Sequence, residues 1–235
     1  MKQNFLKELM TALLLLCCTV ASAQDFEVGG IYYNILSSED KTVEVTSGSN
    51  KYSGAVTIPA SITYNSTTYS VTRIGDEAFA YCTGLTSIEI PSSVTSIDWY
   101  AFRDCTGLTS IEIPSSVTSI GYSAFNGCTG LTSIEIPNSV TSIDNFAFNG
   151  CTGLTSIVIP AGVTSIGVSA FRDCTGLTSI VSHIAAENLF APEGYAFYGI
   201  DKDDCTLYVP AGAKSTYAAT GQWKDFTNIV EAYDL

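Results

Sequence analysis

Five cysteines recur at a fixed interval of 23 residues, and they are the first side chains in the sequence that could support chemistry. They are Cys82, Cys105, Cys128, Cys151 and Cys174. If each begins one turn of a coil, the sulfurs stack about 4.8 Å apart, the spacing of neighbouring strands. A structural zinc ion needs four ligands around one point, whereas a straight column gives each sulfur only two near neighbours. The spacing therefore disfavours a zinc site.

The oxidation state of this column has two interpretations. Adjacent coils would bring the Cα atoms within disulfide range, and the six cysteines after residue 23 make an even number. However, parallel side chains on stacked coils do not face each other as the torsion of a disulfide requires. Cysteine is also among the residues most often buried. We expect buried free thiols, with disulfides between coils as the alternative.

Three carboxylates repeat with the same period, each on the outward side of a predicted strand. They are Glu89, Glu112 and Glu135. Stacked carboxylates could bind a cation such as calcium, and two of them about 5 Å apart could imitate the acid pair of a retaining glycosidase. In water, however, their mutual repulsion is only about 1 kcal/mol per pair. A solvated ladder without a ligand is therefore the simpler interpretation.

Aromatic side chains occupy the two most variable positions of the repeat, just before each Ala-Phe pair. They are Trp99, Tyr100, Tyr122 and Phe146. In such a uniform array, variation marks surface that the fold does not dictate. Aromatic rings suit both protein hot spots and sugar faces. We expect either an exposed aromatic strip over three coils or rings that pack between the coils. With the three glutamates, these residues form the predicted ligand face.

Enzyme signatures are missing from the sequence. His183 is the only histidine, and neither G-x-S-x-G nor H-E-x-x-H nor a phosphate-binding glycine loop occurs. The sequence therefore predicts a protein that is not an enzyme, with no catalytic residue, no cofactor and no metal site.

These residues must be positioned by the repeat itself, which reads CTGLTSIEIPSSVTSIGYSAFNG from Cys105 to Gly127. A unit repeated at one short period is typical of a solenoid, in which each coil buries its apolar side against its neighbours. Alternation before Pro114 predicts a short strand that ends at the proline, which has no N–H to donate. The apolar residues form three inward corners: Leu108-Ile111-Ile113, Val117-Ile120 and Ala124-Phe125.

The units resemble the leucine-rich repeats of the BspA type, whose pattern C-x-x-L-x-x-I-x-I-P-x-x-V-x-x-I-x-x-x-A-F they match almost letter for letter. The resemblance covers roughly Val56 to Pro210. It implies a repeat solenoid, a right-handed leucine-rich-repeat coil rich in β structure with short helical turns. It also implies a surface protein of host-associated bacteria that binds other molecules.

The rest of the chain divides around this array. Residues 1–23 are predicted to be a secretory signal peptide, because lysines precede a short apolar run and a small-x-small cleavage site. Residues 24–73 are predicted to form a β-hairpin N-terminal cap and a degenerate first unit, followed by regular repeats over 74–181. Residues 182–235 are predicted to form an irregular last unit and a mixed C-terminal cap, with a short helix over 213–220.

Charge and hydropathy restrict the partners. The net charge is −13, and removing residues 1–23 takes away two lysines and one glutamate, which leaves −14. Nucleic acid is excluded as a partner, because phosphate binding needs a cationic stripe. No stretch after residue 23 contains the ~20 consecutive apolar residues that a transmembrane helix needs. We therefore expect an exported protein, located at the bacterial cell surface, in the periplasm or in the medium.

The sequence leaves two functions open. One is a binding or adhesion module that presents its repeats to a protein, such as a host matrix or cell-surface protein, or to a glycan. The other is a structural spacer or nutrient-sugar accessory protein without a recognition face of its own.

Overall fold

A computed structural model describes residues 24–232 of the 235-residue chain, so the predicted signal peptide lies outside the described residues. The chain forms a β-solenoid of about seven turns with little helix. Its first eight strands are β1 (Phe26–Val28), β2 (Ile31–Ser37), β3 (Thr42–Thr46), β4 (Gly54–Thr57), β5 (Ser61–Tyr64), β6 (Thr67–Ile74), β7 (Leu85–Glu89) and β8 (Ser96–Ile97). The others are β9 (Ser110–Glu112), β10 (Ser119–Ile120), β11 (Ser133–Glu135), β12 (Ser142–Ile143), β13 (Ser156–Ile159), β14 (Ser165–Ile166), β15 (Ser179–Ser182), β16 (Thr206–Pro210) and β17 (Asn228–Ala232).

Helix is confined to the C-terminal part of the described chain. A 3-10 helix spans Ala186–Asn188, the α-helix α1 spans Lys214–Tyr217, and a second 3-10 helix spans Gly221–Asp225. The α-helix is thus half the length predicted for residues 213–220. One turn of helix suffices there because Tyr217 is fully buried and its hydroxyl donates a hydrogen bond to the Ile184 carbonyl.

One side of the solenoid carries a nine-stranded sheet. Its order is β1-β2-β3-β6-β8-β10-β12-β14, with β5 paired to β6. The pairs β1–β2, β2–β3 and β5–β6 are antiparallel, whereas every pair from β3 to β14 is parallel. In the regular part Ser119 pairs with Ser142 and Ile120 with Ile143, an offset of 23 residues. The repeat period therefore sets the register.

A second side carries the longer strands of each coil in three parallel groups, β4-β7, β9-β11 and β13-β15-β16-β17. Glu112 pairs with Glu135 and Ile111 with Ile134, so that isoleucine points inward and glutamate outward. The predicted alternation of strand faces is confirmed. Thr132 N donates to the Thr109 carbonyl of the preceding coil at 3.0 Å, which links the coils just before their strands.

The third side is a column of turns built on the Ala-Phe pairs. There Phe102 N donates to the Ala124 carbonyl of the following coil at 2.7 Å, and Phe125 N donates to the Ala147 carbonyl at 2.8 Å. On the strand sides of the regular coils, donors such as Thr132 N and Thr141 N point to the preceding coil instead. Each coil is therefore joined to both of its neighbours by backbone hydrogen bonds.

The interior is one continuous apolar cluster with a stack of phenylalanine rings along its axis. We call these rings the phenylalanine ladder: Phe79, Phe102, Phe125, Phe148, Phe171 and Phe197. Consecutive centroids lie 5.1, 5.2, 5.4, 5.2 and 5.8 Å apart, and all six side chains are fully buried. Tyr52 packs on the first ring at 4.6 Å and Trp223 on the last at 4.8 Å.

Each coil turns at two left-handed backbone positions, placed two residues before and two residues after the ladder phenylalanine. The first position has φ between 52° and 62° and is occupied by Glu77, Tyr100, Ser123, Phe146, Ser169 and Tyr195. The second is occupied by Tyr81, Asp104, Gly127, Gly150, Asp173 and Gly199. These paired turns direct the intervening phenylalanine into the core. At the first position Glu77 and Tyr195 are exposed, whereas Ser123 and Ser169 are buried.

Candidate binding surface

The cysteine ladder, formed by the five repeat cysteines Cys82, Cys105, Cys128, Cys151 and Cys174, lies in the core. All six cysteines of residues 24–232 are buried free thiols. Cys128 Sγ donates to the Phe102 carbonyl at 3.0 Å, and Cys105, Cys151 and Cys174 make the equivalent bond to the phenylalanine 26 residues earlier. Burial raises the pKa of the Cys128 thiol to about 12. The protonated thiol thus satisfies a buried carbonyl, and its reactivity is suppressed.

The three predicted glutamates form an exposed row on the second side. Glu112 and Glu135 are directly paired, and Glu89 accepts a hydrogen bond of 3.1 Å from the Thr57 hydroxyl. Serines and isoleucines line two shallow grooves beside them, of about 420 and 380 Å³. Within residues 24–232 no three side chains of His, Cys, Asp or Glu are placed to share a metal ion. The row is an exposed acidic surface.

The four predicted aromatic residues come together in what we call the aromatic patch: Trp99, Tyr100, Tyr122 and Phe146. Tyr122 is its hub, with ring centroids 5.3 Å from Tyr100, 5.6 Å from Phe146 and 6.4 Å from Trp99. All three pairs are edge-to-face, with interplanar angles of 60–74°. Trp99 is 59% exposed, whereas the other three rings are half-buried. Both interpretations from the sequence therefore apply in part, because the rings pack against one another and still present Trp99 to solvent.

Backbone conformation makes this patch unusual. Tyr100 and Phe146 have φ of 56° and 58°, a region that favours glycine and asparagine and disfavours bulky side chains. Ser123 and Ser169 adopt the same conformation in neighbouring coils, so the turn does not require an aromatic residue. The aromatic side chains add strain without serving the turn. This cost is consistent with a role for the rings at the surface.

Cations of the chain lie over neighbouring tyrosine rings, a feature that the sequence analysis missed. The Arg103 guanidinium is 5.4 Å from the ring centroids of both Tyr81 and Tyr100, and Lys51 Nζ is 5.8 Å from that of Tyr81. Arg103 Nε also lies 3.3 Å from an Asp104 carboxylate oxygen. The available signal was that Arg103 and Tyr81 occupy variable positions of the repeat.

Two grooves meet at Trp99. One, of about 440 Å³, is lined by Asp76, Asp98 and Asp144 as well as Trp99. The other, of about 310 Å³, includes Asp76, Glu77 and Trp99. Burial raises the pKa of the Asp98 carboxyl, and the Ser96 hydroxyl and the Arg73 guanidinium oppose this shift. The exposed indole thus stands between two open, acidic depressions.

Fold and surface together define a class of protein. Continuous β coils with a filled core and shallow outer grooves are typical of non-enzymatic repeat scaffolds. A family model of the BspA type leucine rich repeat region matches six copies across residues 56–202. The chain therefore belongs to the BspA-type leucine-rich repeat family, which its repeats resemble. Across residues 24–232 there is no helix with the length and apolar character to cross a membrane.

Solved bacterial structures share the fold. A leucine-rich repeat protein from Bacteroides ovatus is 32% identical with a TM-score of 0.66, over 79% of this chain and 55% of that one. The Treponema pallidum leucine-rich repeat protein is 27% identical with a TM-score of 0.67, over 79% of this chain and 81% of that one. A leucine rich cell surface protein from Faecalibacterium prausnitzii is 30% identical with a TM-score of 0.68, over 91% and 56%. The chain thus spans little more than half of the first and third proteins. Among curated proteins no match is found.

Proposed function

We propose that the protein is an exported binding module that holds a macromolecular ligand, a protein or a glycan, on the outer surface of its coils. One observation carries this proposal. The array is nearly uniform, yet its variable positions gather three aromatic rings around Tyr122 on successive coils, with Trp99 59% exposed. A cluster of tryptophan and tyrosine beside an arginine has the composition of a protein-binding hot spot.

A rigid solenoid suits this function because its coils hold the contact residues at a fixed spacing before the ligand arrives. The phenylalanine ladder and the hydrogen bonds between coils fix the backbone of the aromatic patch on both sides. Less conformational entropy is then lost on binding, so many shallow contacts can add up to useful affinity.

The proposed location is outside the cytoplasm. Support comes from the signal-like segment at residues 1–23 and from the surface exposure typical of proteins of this family. The Faecalibacterium prausnitzii protein is described as a cell surface protein. Adhesion to host matrix or cell-surface proteins is the form of binding that we propose for this chain.

The experiment is an array of extracellular-matrix proteins and glycans probed with residues 24–235. We expect wild-type protein to bind at least one ligand and Trp99→Ala to lose most of that binding. Tyr195→Ala is the matched control, since Tyr195 is 65% exposed but lies outside the patch. If no ligand of the array bound, the structural spacer would be favoured. If Trp99→Ala bound as well as the wild type, the binding site would lie on another surface.

A further inference from the structure

The chain places its own cations over most of its exposed tyrosine rings. Besides Arg103 over Tyr81 and Tyr100, the Arg172 guanidinium lies 5.0 Å from the ring centroid of Tyr198. Trp99 is more exposed than Tyr81 or Tyr198, and tryptophan is the best cation–π acceptor. Of the residues that the structure describes, however, no lysine or arginine lies over the Trp99 ring. Its indole remains available to a cation from outside.

Carboxylates surround this indole on two sides. Asp76 lines both grooves, Asp98 and Asp144 line the first, and Glu77 lines the second. Arg73 is the single cation among the groove residues, and it is already engaged with Asp98 at 3.3 Å. The grooves therefore carry an excess of negative charge within a chain whose net charge is already strongly negative. A positively charged ligand is favoured here and an anionic one is repelled.

Depth in the first groove comes from a missing side chain. Gly121 stands in the repeat position that Asp98 and Asp144 occupy in the coils on either side. A Cβ at Gly121 would approach the Ile97 carbonyl oxygen to 2.8 Å, so this coil needs glycine here. The result is a gap between two aspartates, beside the indole. A long side chain such as lysine or arginine fits a gap of this kind, with its charge beside the carboxylates.

From these contacts we infer that the two Trp99 grooves bind a lysine- or arginine-rich segment of a partner protein. This inference rests on the proposed function and names the class of ligand. The rings of the patch meet edge-to-face at 60–74°, so they do not form the row of coplanar faces on which a glycan chain would stack. The acidic surroundings complement cationic side chains directly, whereas neutral sugars gain nothing from net charge.

Trp99 itself provides the measurement. The chain has two tryptophans, and Trp223 is fully buried in the C-terminal part, so a change in emission on ligand addition reports on Trp99. The probe is an oligolysine peptide, with oligoglutamate and a neutral oligosaccharide as parallel probes. We expect oligolysine alone to change the emission, with an affinity that falls as salt is added.

The test variant is Asp76→Asn/Glu77→Gln. Asparagine keeps the oxygen that accepts the 3.0 Å hydrogen bond from Trp99 N, so the turn is preserved. Loss of two charges should weaken oligolysine binding roughly fivefold or more. The control is Asp201→Asn/Asp203→Asn, which removes the same charge from an exposed loop near the other end of the chain.

Each outcome is decisive. Weaker binding by the groove variant alone supports the inference. Equal weakening by both variants would overturn it by showing general attraction between opposite charges, and so would the absence of any response to oligolysine. A response to the oligosaccharide instead would refute the cationic partner while preserving the proposed binding function. The function itself fails only if the ligand array is also silent.

Discussion

The phenylalanine ladder and the aromatic patch are two groups of rings carried by the same coils, only two or three residues apart in the chain. In the ladder, the planes of successive rings differ by 2–11° and every ring is buried. In the patch the angles are 60–74°, and Trp99 is more than half exposed. The backbone register is the same for both groups, so the difference lies in the side chains.

Identical residues in identical coils are related by a translation along the solenoid, and translation keeps rings parallel. The ladder is therefore a product of repetition. At the patch positions the residue changes from coil to coil, from Trp99 to Tyr122 to Asn145, so no translation relates the rings. They adopt instead the edge-to-face contacts that aromatic pairs prefer. The core is thus formed by residues that are identical from coil to coil, and the candidate site by residues that differ.

Among the tests of this contrast, we expect the largest loss of stability from Phe125→Ala, in the middle of the ladder. The ring is fully buried and stacked on both sides, so its loss should cost about 3–5 kcal/mol in the free energy of unfolding. Urea denaturation measures this cost. Phe146→Ala, which removes the same ring from the half-buried patch, is the matched control and should cost less than half as much. Equal costs would show that the patch belongs to the core.

Alkaline pH tests the cysteine ladder, and the expected loss of stability is smaller than that of Phe125→Ala and larger than those of the patch variants. The folded protein retains the Cys128 proton up to about pH 12, whereas an unfolded thiol loses it near about pH 8.5. The stability from this thiol is thus fully present below pH 8.5 and is lost as the pH rises toward 12. Between about pH 8.5 and 10 the loss should be about 2 kcal/mol for this thiol.

Urea denaturation of the wild type and of Cys128→Ala across this range isolates that contribution from those of other titrating groups. We expect a smaller pH-dependent loss in the variant, by about the amount given above. Parallel pH profiles would contradict a buried thiol at this position and would favour a disulfide between coils.

The smallest effects should come from the patch itself. Tyr122 contacts three rings, so Tyr122→Ala should lower the free energy of unfolding by about 1 kcal/mol or somewhat more. Trp99→Ala should change it by less than about 0.5 kcal/mol, because this side chain is largely exposed. Thermal unfolding of both variants shows which of them loses more stability. If Trp99→Ala were the more damaging, the indole would serve packing instead of recognition.

Much of the fold could be predicted because the same sequence pattern recurs in several units. The 23-residue period, the strand ending at Pro114 and the inward isoleucines required only local patterns. The family followed from the resemblance of these units to the BspA-type pattern. The N-terminal region was harder, because β3 pairs in parallel with β6 while β2 and β5 pair with these strands antiparallel. Alternating apolar and polar residues predict that a segment forms a strand, but they do not predict which strand it pairs with. The predicted domain boundaries remain predictions.

Prediction of the site was less complete. The sequence indicated the four patch residues, because they vary where their neighbours do not. It did not indicate that Arg103 would cover two tyrosines, that Trp99 would be left uncovered, or that Gly121 would open a groove between two aspartates. These contacts join residues on different coils, and side-chain direction at a left-handed turn is set by the folded backbone.

By itself, the sequence determined the coil of the regular array, its register and which residues face inward, because a period repeated without interruption from Cys82 to Asp173 allows only one way for each apolar corner to meet its copy. Only the tertiary structure decided which surface rings touch, which of them receive an internal cation and where the acidic grooves open. Those features depend on the angles and distances between side chains of neighbouring coils, which a one-dimensional period does not specify.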